Sequence, residues 1–179
     1  KIRMDIGDTM KLAYHNATTT LLGAALDCAS LHGNIGAANI YLSFADQYIS
    51  KLDSSYAQAK RTKKMEIYRE GAHLLLSRAE EDVGKIRKYN RTLRDYDEGK
   101  IMASSADASD VTRHMQDQRL VAVTDADRKL KQISEHLDTL KSENHMGQAT
   151  ADQIWGQIKG RYEMVKVKVD KYLPKAPNA

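Results

Sequence analysis

Residues 65–96 read MEIYREGAHLLLSRAEEDVGKIRKYNRTLRDY, and the spacing of the apolar side chains in this stretch decides the fold. Met65, Tyr68, Ala72, Leu75, Ala79, Asp82, Ile86, Tyr89, Leu93 and Tyr96 follow one another at alternating steps of three and four. That is an a/d heptad seam, sustained over more than four heptads and carrying a single carboxylate. At 1.5 Å rise per residue the stretch predicts a rod on the order of 50 Å long. A helix of that length cannot bury its seam alone, so it must be the spine of a bundle.

Working outward, the same period recurs. Ile6–Leu31 reads as a first helix with Met10, Tyr14, Ala17, Leu21, Ala24, Cys28 and Leu31 in register. Leu22, Ala25, Leu26 and Ala29 fill much of the remaining circumference, which predicts a helix buried between several others. Thr18–Thr20 are weak helix formers and mark a point where this helix can kink. His32-Gly33-Asn34 supplies a left-handed stop and a new N-cap. Helix two follows with Ile35, Ala38, Leu42, Ala45, Ile49, Leu52, Tyr56 and Ala59. The seam slips by two residues before Met65, which places a turn between Tyr56 and Thr62; Asp53-Ser54-Ser55 is the alternative turn.

Helix three is expected to end near Glu98, with Gly99 beyond it and a small, polar loop over residues 100–109. Ser109 or Asp107 would cap helix four, whose seam is Val123, Ala126, Leu130, Ile133, Leu137 and Leu140. Residues 142–149 read as a tight connection containing Gly147, and Thr150 with Gln153 as a capping box opening helix five. Trp155, Ile158, Tyr162, Val165, Val169 and Tyr172 complete the last series before Pro174 and Pro177. The expected architecture is an all-α antiparallel bundle of four to five long helices with coiled-coil-like packing. It forms one domain over residues 1–173, followed by a short proline-containing tail, 174–179.

Bulk composition agrees. Both prolines lie in the last six residues, so nothing upstream interrupts a helix through proline. Cys28 is the single cysteine, which excludes an intrachain disulfide and a cysteine-based zinc cluster. No run approaches the length of an apolar membrane span. The chain begins at Lys1, as a processed protein or an excised domain would, so the compartment stays open between cytoplasmic and secreted or periplasmic. The net charge of +4 is unevenly placed, with residues 60–100 carrying twelve Lys/Arg against eight Asp/Glu. Such a bias permits anionic membrane, nucleic acid or acidic protein as a partner and demands none of them.

Candidate chemistry is sparse. Glu70 and His73 form half of a di-iron bundle motif, with no second copy on another helix. His114-Met115 and His145-Met146 are the soft-ligand pairs, and neither has a further ligand nearby in sequence. No phosphate-binding glycine loop or GxSxG elbow is present. No cofactor and no enzymatic activity are therefore expected. Asp82 either fixes register by meeting a cation inside the bundle, or faces out while Val83 takes the core place.

In outline the long hairpins resemble secreted virulence helical bundles and four-helix sensory domains, a resemblance of architecture without a shared motif. It implies a secreted or envelope-associated bacterial system as one setting. The function expected is a non-enzymatic protein–protein interaction module that presents helix faces to a partner. Its best surfaces are the basic stripe Arg87, Arg91 and Arg94, and helix five with Trp155, Tyr162 and Tyr172, because Trp, Tyr and Arg dominate interface energetics. One alternative is a ligand-sensing or carrier bundle holding a small molecule near Tyr68, Tyr89 and Tyr162. Another is contact with anionic membrane or nucleic acid through the basic faces. Self-association is a further expectation, since heptad seams close between chains as well as within one.

Overall fold

Five α-helices account for nearly all of the described residues, 6–99 and 108–175, of a computed structural model. They are α1 (Ile6–His32), α2 (Ile35–Ile49), α3 (Ser54–Asp97), α4 (Ala108–Glu143) and α5 (His145–Tyr172), and no strand occurs among the described residues. The protein is an all-α helical bundle. Most of the expected loop over 100–109, the candidate cap Asp107 and Pro177 lie outside the described residues.

The helix ends follow from local capping. Gly33 takes φ +65° and closes α1, while the Asn34 side chain accepts a 2.9 Å hydrogen bond from the Ala37 amide to open α2. Helix α2 stops at Ile49, and the turn falls at residues 50–53 rather than between Tyr56 and Thr62. The reason is Asp53, whose carboxylate accepts hydrogen bonds from both the amide and the hydroxyl of Ser55. A carboxylate there satisfies an orphan amide of the new helix, which nothing in Tyr56–Thr62 does. The same two bonds hold the Asp53 carboxyl below its ordinary value of 3.8, the hydroxyl contributing most. The slip in the apolar pattern before Met65 is therefore a change of buried face within one continuous helix. At the far end of α3, Gly99 stands at φ +72°.

A single residue, Asn144, separates α4 from α5. Its side chain accepts a 2.8 Å hydrogen bond from the Gly147 amide and so caps α5, which starts at His145 and not at Thr150. Gly147 permits this sharp corner, because a Cβ there would stand 2.2 Å from the carbonyl oxygen of Leu140.

Tertiary contacts gather into two compact units, to both of which α3, α4 and α5 contribute segments. The first comprises Lys1–Leu74 and His136–Ile154. Helices α1 and α2 form an antiparallel hairpin here, with Tyr14 beside Tyr48 at 5.9 Å between ring centroids. Its core holds Ile35, Ala38, Leu42, Ala45 and Ile49 of α2 with Ile67, Tyr68 and Ala72 of α3. Gly71 lies where a Cβ would crowd Ile35 at 2.7 Å, so a bare backbone lets α3 approach α2 closely. Tyr68 is 1% exposed; its hydroxyl accepts from the Asn39 amide at 3.2 Å and its ring packs edge-on to His136.

On α1 the expected seam is displaced by one residue. The buried positions are Thr18, Leu22, Ala25 and Ala29, whereas Met10 is 48% and Leu31 60% exposed. The helix runs unbroken through Thr18–Thr20. It is apolar around much of its circumference, so its own sequence does not specify an inward stripe; its neighbours select one.

The second unit comprises Leu75–Glu135 and Trp155–Ala179. Its described helices are the later part of α3, most of α4 and most of α5. Asp82 meets Lys129 and Asn90 meets Arg119, so α3 and α4 run antiparallel. Glu80 meets Arg161 and Asn90 meets Tyr172, so α3 and α5 run parallel. Leu76, Ala79, Val83, Ile86, Val123, Ala126, Leu130, Ile133, Ile158, Val165 and Val169 form the core. These are largely the positions that the spacing singled out.

Candidate interaction surface

In the second unit α3 and α5 enclose a groove of about 240 Å³, lined by Glu80, Val83, Arg87, Arg161, Met164 and Val165. Helical spacing explains the membership. Glu80, Val83 and Arg87 lie three and four apart on α3, and Arg161, Met164 and Val165 do so on α5. One end is held by an ion pair. The Arg161 guanidinium donates from Nε to both Glu80 carboxylate oxygens at 3.2 Å, and again from a terminal nitrogen that also reaches Ser77 Oγ at 3.3 Å. The hydrogen bonds to Glu80 push the Arg161 guanidinium further above its ordinary value.

Beyond that pair the groove face turns basic. Arg91 and Arg94 continue the line of Arg87 at steps of four and three, and Lys168 and Lys171 continue Met164 in the same way. All three arginines and Lys171 are exposed, and Lys168 is half-buried. Among the described residues none of these five cations forms an ion pair. Lys171 rests over the Tyr172 ring at 5.4 Å. Met164 itself is 69% exposed, the highest fraction among the large apolar side chains described.

The three aromatics of helix five, expected as a separate surface from the basic stripe, lie outside this groove. Trp155 and Tyr162 pack edge to face, with centroids 5.0 Å apart, and the Tyr162 hydroxyl donates to the Leu130 carbonyl at 3.3 Å. Counting 100° per residue, both lie roughly 180–200° around α5 from Met164, on the flank that meets α4. Tyr172 is half-buried. Its hydroxyl accepts from the Asn90 amide at 2.8 Å, Arg119 donates to the Asn90 carbonyl at 2.8 Å, and the Arg119 guanidinium lies 4.8 Å from the ring centre. The structure thus gathers Arg87, Arg91 and Arg94 with the basic face of α5, and places Trp155 and Tyr162 on its other side. Met164 was not singled out in sequence, because methionine between a glutamate and a valine carries no signal of exposure. The partnership of Glu80 with Arg161 depends on α3 and α5 running parallel, which no local pattern announces.

Asp82 is buried at 3% exposed, and Val83 is buried beside it. Lys129 Nζ stands 2.5 Å from one carboxylate oxygen and Lys85 Nζ 3.8 Å from the other. The inward reading of Asp82 is the one realised, and its partner is a lysine whose side chain is 17% exposed.

A second uncovered surface belongs to the first unit. On α2, Ile40 is 57% and Phe44 49% exposed, and Tyr41 and Tyr48 are half-buried next to them. Ala17, Leu21 and Ala24 lie half-buried on α1, so the face carries no charged side chain along these positions. Glu70 is exposed and His73 half-buried, and among the described residues no three His, Cys, Asp or Glu side chains gather as a metal cluster. No helix among the described residues is long and apolar enough to cross a membrane. The fold is that of an all-α helical bundle. No family model, curated protein or solved structure matches the chain.

Proposed function

We propose that the chain is a non-enzymatic helical-bundle module that binds another protein. The observation that supports this reading is the groove between α3 and α5, where a largely exposed Met164 shares the lining with Arg87, and Arg91, Arg94 and Lys168 follow along the two helices, none of these cations in an ion pair among the described residues. Met and Arg are enriched at interfaces, and a fold that spends a methionine on solvent gains nothing from it in stability.

The test is affinity capture with the full chain as bait, repeated with Arg87→Ala and Arg91→Ala combined. Loss of at least one captured protein from the set, with the circular-dichroism spectrum unchanged, is the expected result. An identical captured set sinks this choice of surface. A second reading, closure of the α1–α2 face on a second copy, is favoured by the exposed Ile40 and Phe44 and the half-buried Leu21, apolar positions without charge.

A further inference from the structure

We propose that the groove between α3 and α5 seats an acidic amphipathic helix of a partner protein, an inference that rests on the interaction-module reading above. Glu80 neutralises Arg161 at one end, and among the described residues no carboxylate forms an ion pair with Arg87, Arg91 or Arg94. On α5, Glu163 and Asp170 stand roughly 100–120° around the helix from Met164, too far to serve the groove. The five cations are therefore free to meet an external anion.

The spacing says what shape that anion has. Arg87, Arg91 and Arg94 repeat at four and three residues and rise about 10 Å along the axis. Carboxylates on one side of a helix laid along the groove repeat with the same period, so each turn of the guest brings a new one into reach. Next to the Glu80–Arg161 pair, just before the basic rows begin, the groove has an apolar patch of Val83, Val165 and the exposed Met164. An apolar patch that runs on into basic rows is what an amphipathic helix with an apolar stripe and an acidic flank covers, as in other helix-in-groove complexes. A phosphate backbone has no use for that patch. A bilayer surface is flat, and the valines lie in the recess between two helices. Methionine suits the role, since its unbranched thioether adapts to differently shaped apolar guests.

The probe is a labelled synthetic helix of about 20 residues, built from Ala with a Leu stripe flanked by Glu, titrated with the full chain by fluorescence polarisation. Controls are the same peptide with Lys for Glu, a scrambled Glu peptide without the stripe, and vesicles of phosphatidylcholine with phosphatidylserine. Binding of the Glu peptide alone is expected, with affinity falling steeply between about 50 and 300 mM salt. The pair Arg87→Glu and Arg91→Glu, and separately Met164→Asp, should each weaken it by about tenfold or more. Lys131→Ala, whose side chain pairs with Asp127 on α4, should leave it unchanged. Equal binding of the Lys peptide, or no effect of the groove variants, overturns the proposal. So does groove-dependent binding to vesicles without peptide binding.

A photo-crosslinking amino acid at position 164 separates the two levels of failure. A crosslinked protein in lysate with no affinity for the Glu peptide overturns the acidic helix and leaves the module standing. Neither crosslink nor peptide binding overturns both.

Discussion

Asp82 shows how much one side chain is asked to do in this fold. A carboxylate at 3% exposure would be unsupportable alone, and the 2.5 Å contact from Lys129 makes it tenable. A buried pair of this sort adds little net stability over apolar residues of the same size, yet removing one member strands the other. Asp82→Ala is therefore expected to destabilise the protein by about 3–5 kcal/mol in urea unfolding, whereas Asp82→Leu combined with Lys129→Met should cost about 1 kcal/mol or less. A double variant as unstable as the single one would show that the pair does more than satisfy its own burial. The sequence offered Asp82 and Val83 as rivals for one core place. Both are inside, because a bundle of three helices in this unit buries more than one position per turn of α3. The lysine that answers Asp82 lies 47 residues away, and no local pattern could name it.

Element by element, legibility tracked how one-sided each helix is. The expected positions Ile35 to Ile49 of α2 and Val123 to Leu140 of α4 are buried as spaced, since apolar and polar faces are clearly separated there, whereas Leu52, Tyr56 and Ala59 of the expected second seam fall beyond α2 and are not buried. On α1 two stripes compete, and the choice of Thr18, Leu22, Ala25 and Ala29 was made by packing against neighbours that the helix does not encode. Periodicity alone misplaces helix starts where a side-chain cap outweighs it: at Asp53, where the alternative turn is the one formed, and at Asn144. The Asp53 cap makes a pH prediction. Its carboxyl is held below the ordinary 3.8 in the folded chain, so its contribution is complete above that value and is lost as pH falls through the lower, folded value. Asp53→Ala should lower the thermal midpoint at neutral pH, and the gap from the parent chain should close in acid. A gap constant down to pH 2 would show that the cap works through something other than the ionised carboxylate.

Across the whole molecule, the candidate surfaces were half legible. The basic stripe of α3 could be seen, because Arg87, Arg91 and Arg94 repeat on one face; its meeting with Met164 could not, because that needs the parallel run of α3 and α5. The uncharged α1–α2 face is not legible from the pattern, because a helix apolar around much of its circumference reads as an interior one. Exposed apolar rows of this kind mark contact surfaces more often than accidents, and a row without charge suits an isologous pairing in which the same patch meets itself. Sedimentation across a concentration series should therefore show a reversible dimer, and Ile40→Glu with Phe44→Glu should return it to monomer. A parent chain that stays monomeric to the highest concentration reached removes that pairing.

The corner at Asn144 has a consequence of another kind. With one residue between α4 and α5, and Gly147 seated against the Leu140 carbonyl, the connection has no slack and works as a ruler. Adding or deleting a single residue there would rotate all of α5 by roughly 100° against α4. Ile158, Val165 and Val169 would leave the core together, and Met164 would leave its groove. Connections are ordinarily where a protein absorbs changes of length, but here the count of residues is held as tightly as any buried side chain.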